Sequence, residues 1–345
     1  MHSLKKYVFF THKFQGLGFQ QMERTFSLIR KIFVSVCVSL FFTDAFAQLN
    51  PRSTLYAFHQ SSYNPAICGA YDFGSASLVM RKQYMGFEDK SGPASTWFDV
   101  SMPIKSVKSG VGLSVIQTKE GFEKRVSAKL NYAYQLELGA GTLGLGLSAG
   151  LNSVGWDLSE AVYPDGSSDN FVETTIASQE RFSNLLLGFG LFYHRGGLYA
   201  AAAVTELNEP ALKPDAGKVD YLKRHYWLSC GYEYQTTSPK WTLYPAMTIK
   251  TTFSDVQASF DCRAVYDNFI IGGLSYTSSH DISLNVGVQF KDGSKFDGLR
   301  TIFSYDIVTS KLGGESAGNL EVMVSYDFNL FVEKENKTYK SVRFL

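Results

Sequence analysis

The sequence predicts an all-β protein: a transmembrane antiparallel β-barrel of about fourteen strands, exported by a cleaved N-terminal signal peptide. Three observations carry that prediction. The chain opens on a leader of the export type, long segments of period-two alternation fill most of the rest, and the composition joins many aromatics and glycines to few charges. Of 345 residues, 15% are aromatic, 30 are Gly and only 19% are charged. Such a chain is too apolar and aromatic to stay disordered. A formal net charge of +1 gives no basic excess for holding phosphates, so no nucleic-acid partner is expected. A mean hydropathy of −0.09 argues against a bundle of membrane helices.

The leader comes first. Arg24, Arg30 and Lys31 precede the apolar run Ile32–Phe42, and Ala45 and Ala47 supply an A-x-A cleavage pattern. Residues 1–47 are therefore read as a signal peptide cut after Ala47; the apolar run is too short to cross a bilayer as a helix. Met22 begins a leader of ordinary length and is the candidate true start; the other reading of residues 1–21 is an amphipathic extension. Cys37 lies inside the apolar run and away from the cut, which argues against a lipoprotein. The leader holds six basic and two acidic residues, so the remaining 298 carry 27 basic and 30 acidic, a net charge of −3. They keep Cys68, Cys230 and Cys262, an odd count that cannot complete a disulfide framework.

Residues 48–71 form a lead-in ahead of the strands. Asn64-Pro65 marks a turn in it. Two roles stay open: a periplasmic segment that plugs the lumen or meets a periplasmic partner, and an ordered stretch packed on the barrel wall.

The barrel is placed at 72–330. The clearest strand runs from Arg125 to Glu137, where Val126, Ala128, Leu130, Tyr132, Tyr134 and Leu136 alternate with polar residues. Fourteen such segments follow in order, near 72–83, 94–104, 110–119, 124–138, 142–156, 183–194, 197–206, 223–236, 241–251, 256–265, 268–277, 281–291, 298–308 and 319–330. Gly139-Ala-Gly141, Arg195-Gly-Gly197 and Asp292-Gly293 supply turns between them. The longest connection is about 157–182. Residues 331–345 are a charged tail, which either docks a partner or frays.

Alternation alone does not say which face is outward. A soluble barrel would hide the apolar face, and an outer-membrane barrel would show it. Three features favour the membrane. Most segments reach ten residues or more, as a tilted spanning strand needs, against about five or six in soluble sheets. Tyr132, Tyr134, Tyr226, Tyr232, Tyr234, Tyr326 and Phe328 cluster toward strand ends, as an interfacial girdle requires. The polar faces are rich in Gly and Ser. With an even strand number, both termini are expected in the periplasm. Cys230 and Cys262 share the apolar phase of two strands that are not sequence neighbours, so both are expected to face lipid unbridged.

Little chemistry stands out. Gly139-Ala-Gly141-Thr-Leu-Gly144 matches GxGxxG, but it opens a strand, whereas a dinucleotide loop must open a helix. His59, His194, His225 and His280 have no metal-ligand spacing, so no metal or cofactor is expected. Asn336-Lys-Thr338 is a sequon by pattern only. Lys223-Arg224 opens a strand, where it either binds an anion or is simply solvated. Lys223, Arg224, Phe58, Tyr63, Asn64 and Pro65 are the candidate partner contacts.

The order of short motifs is more telling than any one of them. Phe58, Tyr63-Asn64-Pro65-Ala66 and Gly69 lead to Arg81, Gln83, Gly86-Phe87 and Gly92-Pro93. Then come Gly112-Leu-Ser-Val-Ile116, Tyr132-Ala133-Tyr134, Leu145-Gly146-Leu147, Arg224-His225-Tyr226, Gly231-Tyr232 and Ser304-Tyr305-Asp306. Over nearly all of the exported chain this series resembles the PorP/SprF-type membrane proteins of the type IX secretion system of Bacteroidetes. Met85 departs from the family's usual tryptophan before Gly-Phe, Cys68 stands at a place where other residues are common, and the tail past Phe328 is long. The resemblance implies a non-enzymatic outer-membrane barrel that supports secretion or surface attachment of a large protein, including gliding adhesins. It further implies protein partners: periplasmic ring components, peptidoglycan-binding lipoproteins, and a secreted cargo with a type IX C-terminal domain. The competing class is a channel for small solutes, whose polar lumen would carry Arg125, Lys129, Glu137 and Lys291. A third class is a barrel lipase with His194, His225 or His280 as base.

Overall fold

A computed structural model describes residues 51–86, 92–156, 182–211, 222–279, 281–290, 296–309, 314 and 316–329. The leader, His280, Lys291, the sequon and the tail past 329 lie outside these residues.

Alternating segments become the staves of one closed sheet. They are β1 (Gly74–Lys82), β2 (Ala94–Ile104), β3 (Ser109–Glu120), β4 (Glu123–Leu138) and β5 (Gly141–Trp156). Next come β6 (Phe182–Arg195), β7 (Leu198–Thr205), β8 (His225–Tyr232) and β9 (Tyr234–Gln235). The circuit ends with β10 (Trp241–Thr251), β11 (Val256–Tyr266), β12 (Ile270–Thr277), β13 (Asp281–Gln289), β14 (Leu299–Val308) and β15 (Asn319–Phe328). The two-residue β9 continues β8 past Glu233, and both pair with β10, so there are fourteen staves. All pairings are antiparallel, and β1 closes on β15 from Gly74↔Phe328 to Lys82↔Leu320. The staves agree with the predicted segments to within two residues at either end. Closure leaves no edge strand, which satisfies every ladder where water is absent.

The faces are inverted relative to a water-soluble barrel. Leu130, Leu147 and Leu151 are 68%, 62% and 62% exposed, while Asn152, Asp306 and Glu321 are at 0%. Leucines left bare in this number need lipid around them. Cys230 and Cys262 are exposed on that outer wall and unbridged, as their phase predicted. Exposed Tyr134, Tyr232, Tyr234 and Tyr326 ring the rim where β4 ends and β5 begins.

The two rims differ. One carries tight connections at Gly139–Ala140 and Gly196–Gly197 and holds the start of β1 beside the end of β15. The other carries the long connections, 157–181 and 206–224. We call them the turn rim and the loop rim. The barrel itself begins and ends at the turn rim, in keeping with the expected common side for the termini. The lead-in alters that picture. Arg52 bonds Ser279 and Asp281 at the loop rim, so the segment traverses the lumen before β1 starts. The cause is that its polar backbone finds its partners on the inner wall.

Candidate functional site

The lumen is filled by the lead-in, which folds as three single 3-10 turns: Tyr56–Phe58, Gln60–Ser62 and Pro65–Ile67. Short turns leave backbone groups unpaired within the segment, and the wall satisfies them. Asn64 caps the third turn: its side-chain oxygen accepts from the Ala66 N–H, and Pro65 supplies the fixed φ of the first position.

Near the loop rim the segment is clamped by charge. Arg81 on β1 donates to Asp306 on β14 at 2.5 Å and to Glu321 on β15 at 2.7 Å, all three wholly buried. Glu321 also accepts from the backbone N–H of Thr54 at 2.8 Å and of Leu55 at 3.1 Å, and from the Ser53 hydroxyl. Thr54 donates to Asp306 at 3.1 Å. Buried charges persist only when paired and hydrogen-bonded, and here the lead-in supplies part of that shell. Beside the clamp, Leu55 enters an apolar patch of the inner wall formed by Val79, Trp97, Val265, Ile271, Ile302 and Met323. Phe58 lies under the guanidinium of Arg263 at 4.2 Å, with Arg300 at 5.5 Å.

Midway, Lys129 donates to the Ser62 carbonyl at 2.8 Å, and Asn131 to that of Ser61 at 3.2 Å. Gln135 donates to the carbonyls of Ala66 and Cys68 at 3.1 and 2.8 Å, and Asn64 to that of Leu191 at 3.0 Å. Glycines let the backbone come this close. A Cβ at Gly146 would lie 2.2 Å from the Ala66 nitrogen, and one at Gly190 would lie 2.0 Å from Asn64 Oδ1. Toward the turn rim Tyr71 meets Phe192 and His194 at 6.3 and 6.0 Å between ring centroids.

Enclosure sets the protonation of the lead-in. Burial lowers the pKa of His59 to about 4 against a weaker opposing pull from Glu321, so it is neutral at pH 7. Its Nε2 bridges to the Ser53 hydroxyl at 2.7 Å and its Nδ1 to that of Ser62 at 3.2 Å. Burial pushes the Cys68 thiol up to about 12 and holds the Tyr63 phenol well above its ordinary value. A thiol so placed is an inert packing group.

Beside the lead-in a cavity remains on the loop-rim side, with about 820 Å³ of empty space including the part open to solvent. Its lining includes Arg52, Arg125, Lys129, Glu206 and Lys250, and the rings of Tyr63 and Trp227, which stack at 4.4 Å.

The structure sorts the predicted contacts into two places. Tyr63, Asn64 and Pro65 are buried in the lumen and Phe58 is half-buried there. Lys223 is exposed beyond the start of β8, and Arg224 pairs with Glu209 at 3.4 Å and donates to the Leu207 carbonyl. The two groups do not form one site. His194 and His225 lie toward opposite rims, and Nδ1 of His225 is 3.3 Å from Glu206. Among the described residues no cluster of His, Cys, Asp and Glu could hold a metal ion. The clamp of Arg81, Asp306 and Glu321 went unrecognised in the sequence. Its signal was there: each is a charge in the polar phase of its strand, for instance Glu321 between Leu320 and Val322.

The family model described as "Type IX secretion system membrane protein PorP/SprF" matches residues 45–326. The chain belongs to the PorP/SprF family. That membership makes it a membrane protein of type IX secretion, and a closed barrel with an apolar exterior places it in the outer membrane. No curated protein matches the chain. Among solved structures it is similar to a mutant of the monoaromatic hydrocarbon channel TodX, at 12% identity and a TM-score of 0.44, covering 77% of this chain and 93% of that one. The Pseudomonas putida toluene transporter TodX gives 10% identity and a TM-score of 0.42, covering 77% and 92%. A KdgM porin in complex with disordered oligogalacturonate gives 10% and 0.36, covering 74% and 99%.

Proposed function

We propose that this PorP/SprF protein is a non-enzymatic barrel component of type IX secretion that supports secretion or surface anchoring of one large cargo protein through protein contacts. The observation that carries the reading is the occupied lumen: wall side chains hold the lead-in along its length, which suits a scaffold better than an open pore. Short turns ordinarily face the periplasm and long loops the exterior. On that rule the turn rim and the tail meet the periplasmic ring components or peptidoglycan-binding lipoproteins. The loop rim, with Lys223 and Arg224, meets the cargo and its C-terminal domain. The lead-in residues Phe58, Tyr63, Asn64 and Pro65 then act indirectly, by fixing the shape of the lumen. The test is deletion of the gene, with surface display of large proteins and small-solute uptake both measured. The expected result is loss of one displayed protein with uptake unchanged. Normal display in the deletion strain overturns the proposal. The second reading, a solute channel, draws on the residual cavity and requires the lead-in to leave.

A further inference from the structure

The cavity on the loop-rim side has features that scaffolding does not use. We propose that it is a binding site for an organic carboxylate with an apolar body. The inference is independent of the secretion role, because it rests on the lining alone.

Charge comes first. Among the described residues the lining carries four basic side chains, Arg52, Arg125, Lys129 and Lys250, and the carboxylate of Glu206. That carboxylate is already engaged: it accepts from the Thr205 hydroxyl and lies 3.3 Å from Nδ1 of His225. The four differ in burial. Arg52 and Arg125 are partly exposed. Lys129 and Lys250 are buried. Outside the cavity Arg52 holds Asp281 through one terminal nitrogen and Ser279 through the other, and Arg125 holds Glu123 through one. The Nε of each is buried with no hydrogen-bond partner among the described residues. A planar guanidinium with a spare N–H matches a planar carboxylate.

The rest of the wall asks for an apolar body. Tyr56, Tyr63, Trp97 and Trp227 line it, and the indole N–H of Trp227 is another buried donor without a partner among the described residues. Rings beside a few convergent donors are the make-up of a small-ligand pocket. Inorganic phosphate would leave the aromatic wall unused.

The shared chemistry has two sources, a free carboxylic acid and the carboxylate end of a peptide. Isothermal titration calorimetry on the full barrel in detergent micelles separates them. The probes are phenylacetate with phenylacetamide, and acetyl-Gly-Gly-Phe as acid with its C-terminal amide. The expected result is saturable binding of at least one acid, tenfold or more tighter than its amide. Phenylacetate binding more tightly marks the free acid as the source, and the tripeptide acid binding more tightly marks the peptide end. Arg125→Gln, at a partly exposed position, should weaken the bound acid at least fivefold, and Lys250→Gln at least as much. Retention of the folded, heat-modifiable band on unboiled gels shows that the variants still form barrels. The proposal is overturned if neither acid binds, if acid and amide bind alike, if inorganic phosphate binds as well as either acid, or if folded Arg125→Gln binds like the parent.

Discussion

Gly146 and Gly190 show how single positions seat the lead-in. Both point into the lumen, where Ala66 and Asn64 occupy the space a side chain would take. Placing Val at 146 therefore overpacks the seat at a cost of about 1–3 kcal/mol. The expected outcome for Gly146→Val is a lower midpoint of thermal unfolding and faster proteolysis of the lead-in. Gly272 is the control: a Cβ there meets nothing within 4 Å. Gly272→Ala should leave both readouts at the parent value, and equal behaviour of the two variants would refute the close-approach account. The sequence displayed these glycines as part of a polar face. It did not tell which of them a second segment covers, since that depends on what lies across the lumen.

At the scale of elements, the seam of β14, β15 and β1 joins barrel closure to lead-in binding. Arg81 compensates Asp306 and Glu321, and the same carboxylates hold Thr54 and Leu55. Removing the cation leaves Glu321 without its ion pair and Asp306 with only the longer contact to Arg52 at 3.9 Å, and breaking such a buried pair costs about 3–5 kcal/mol. Arg81→Gln should accordingly lower the unfolding midpoint strongly. Adding Asp306→Asn and Glu321→Gln should restore much of the loss, because the triple variant buries amides in place of charges. A triple variant no more stable than Arg81→Gln alone would count against the clamp. Strand positions were legible to within two residues because the period of two survives in every stave. The clamp was not, because its three members are joined by strands from the two ends of the sequence.

For the whole molecule, the decisive feature is that the chain fills its own pore. Fourteen strands enclose room for a narrow channel, and the lead-in takes most of it from the loop rim to the turn rim. The intact protein should be electrically silent in a planar bilayer, and a form lacking residues 52–69 should pass a steady current. A steady current from the intact barrel would sink the plugged state and favour solute transport. Neither result depends on which cargo or ring partner the protein serves.

What the sequence determined by itself was local and periodic: the strand count, the strand ends, the two faces of each strand and the ordered motifs of the family. Each is written in residues a few positions apart, where alternation and turn chemistry act directly. The path of the lead-in and the cavity beside it were decided only by tertiary structure. Period-two alternation alone is symmetric between inside and outside, and strand length with the aromatic girdle had already broken that tie. Once closed, the barrel surrounds the lead-in with donors and acceptors from distant strands. A backbone held away from water takes the route on which those groups are satisfied.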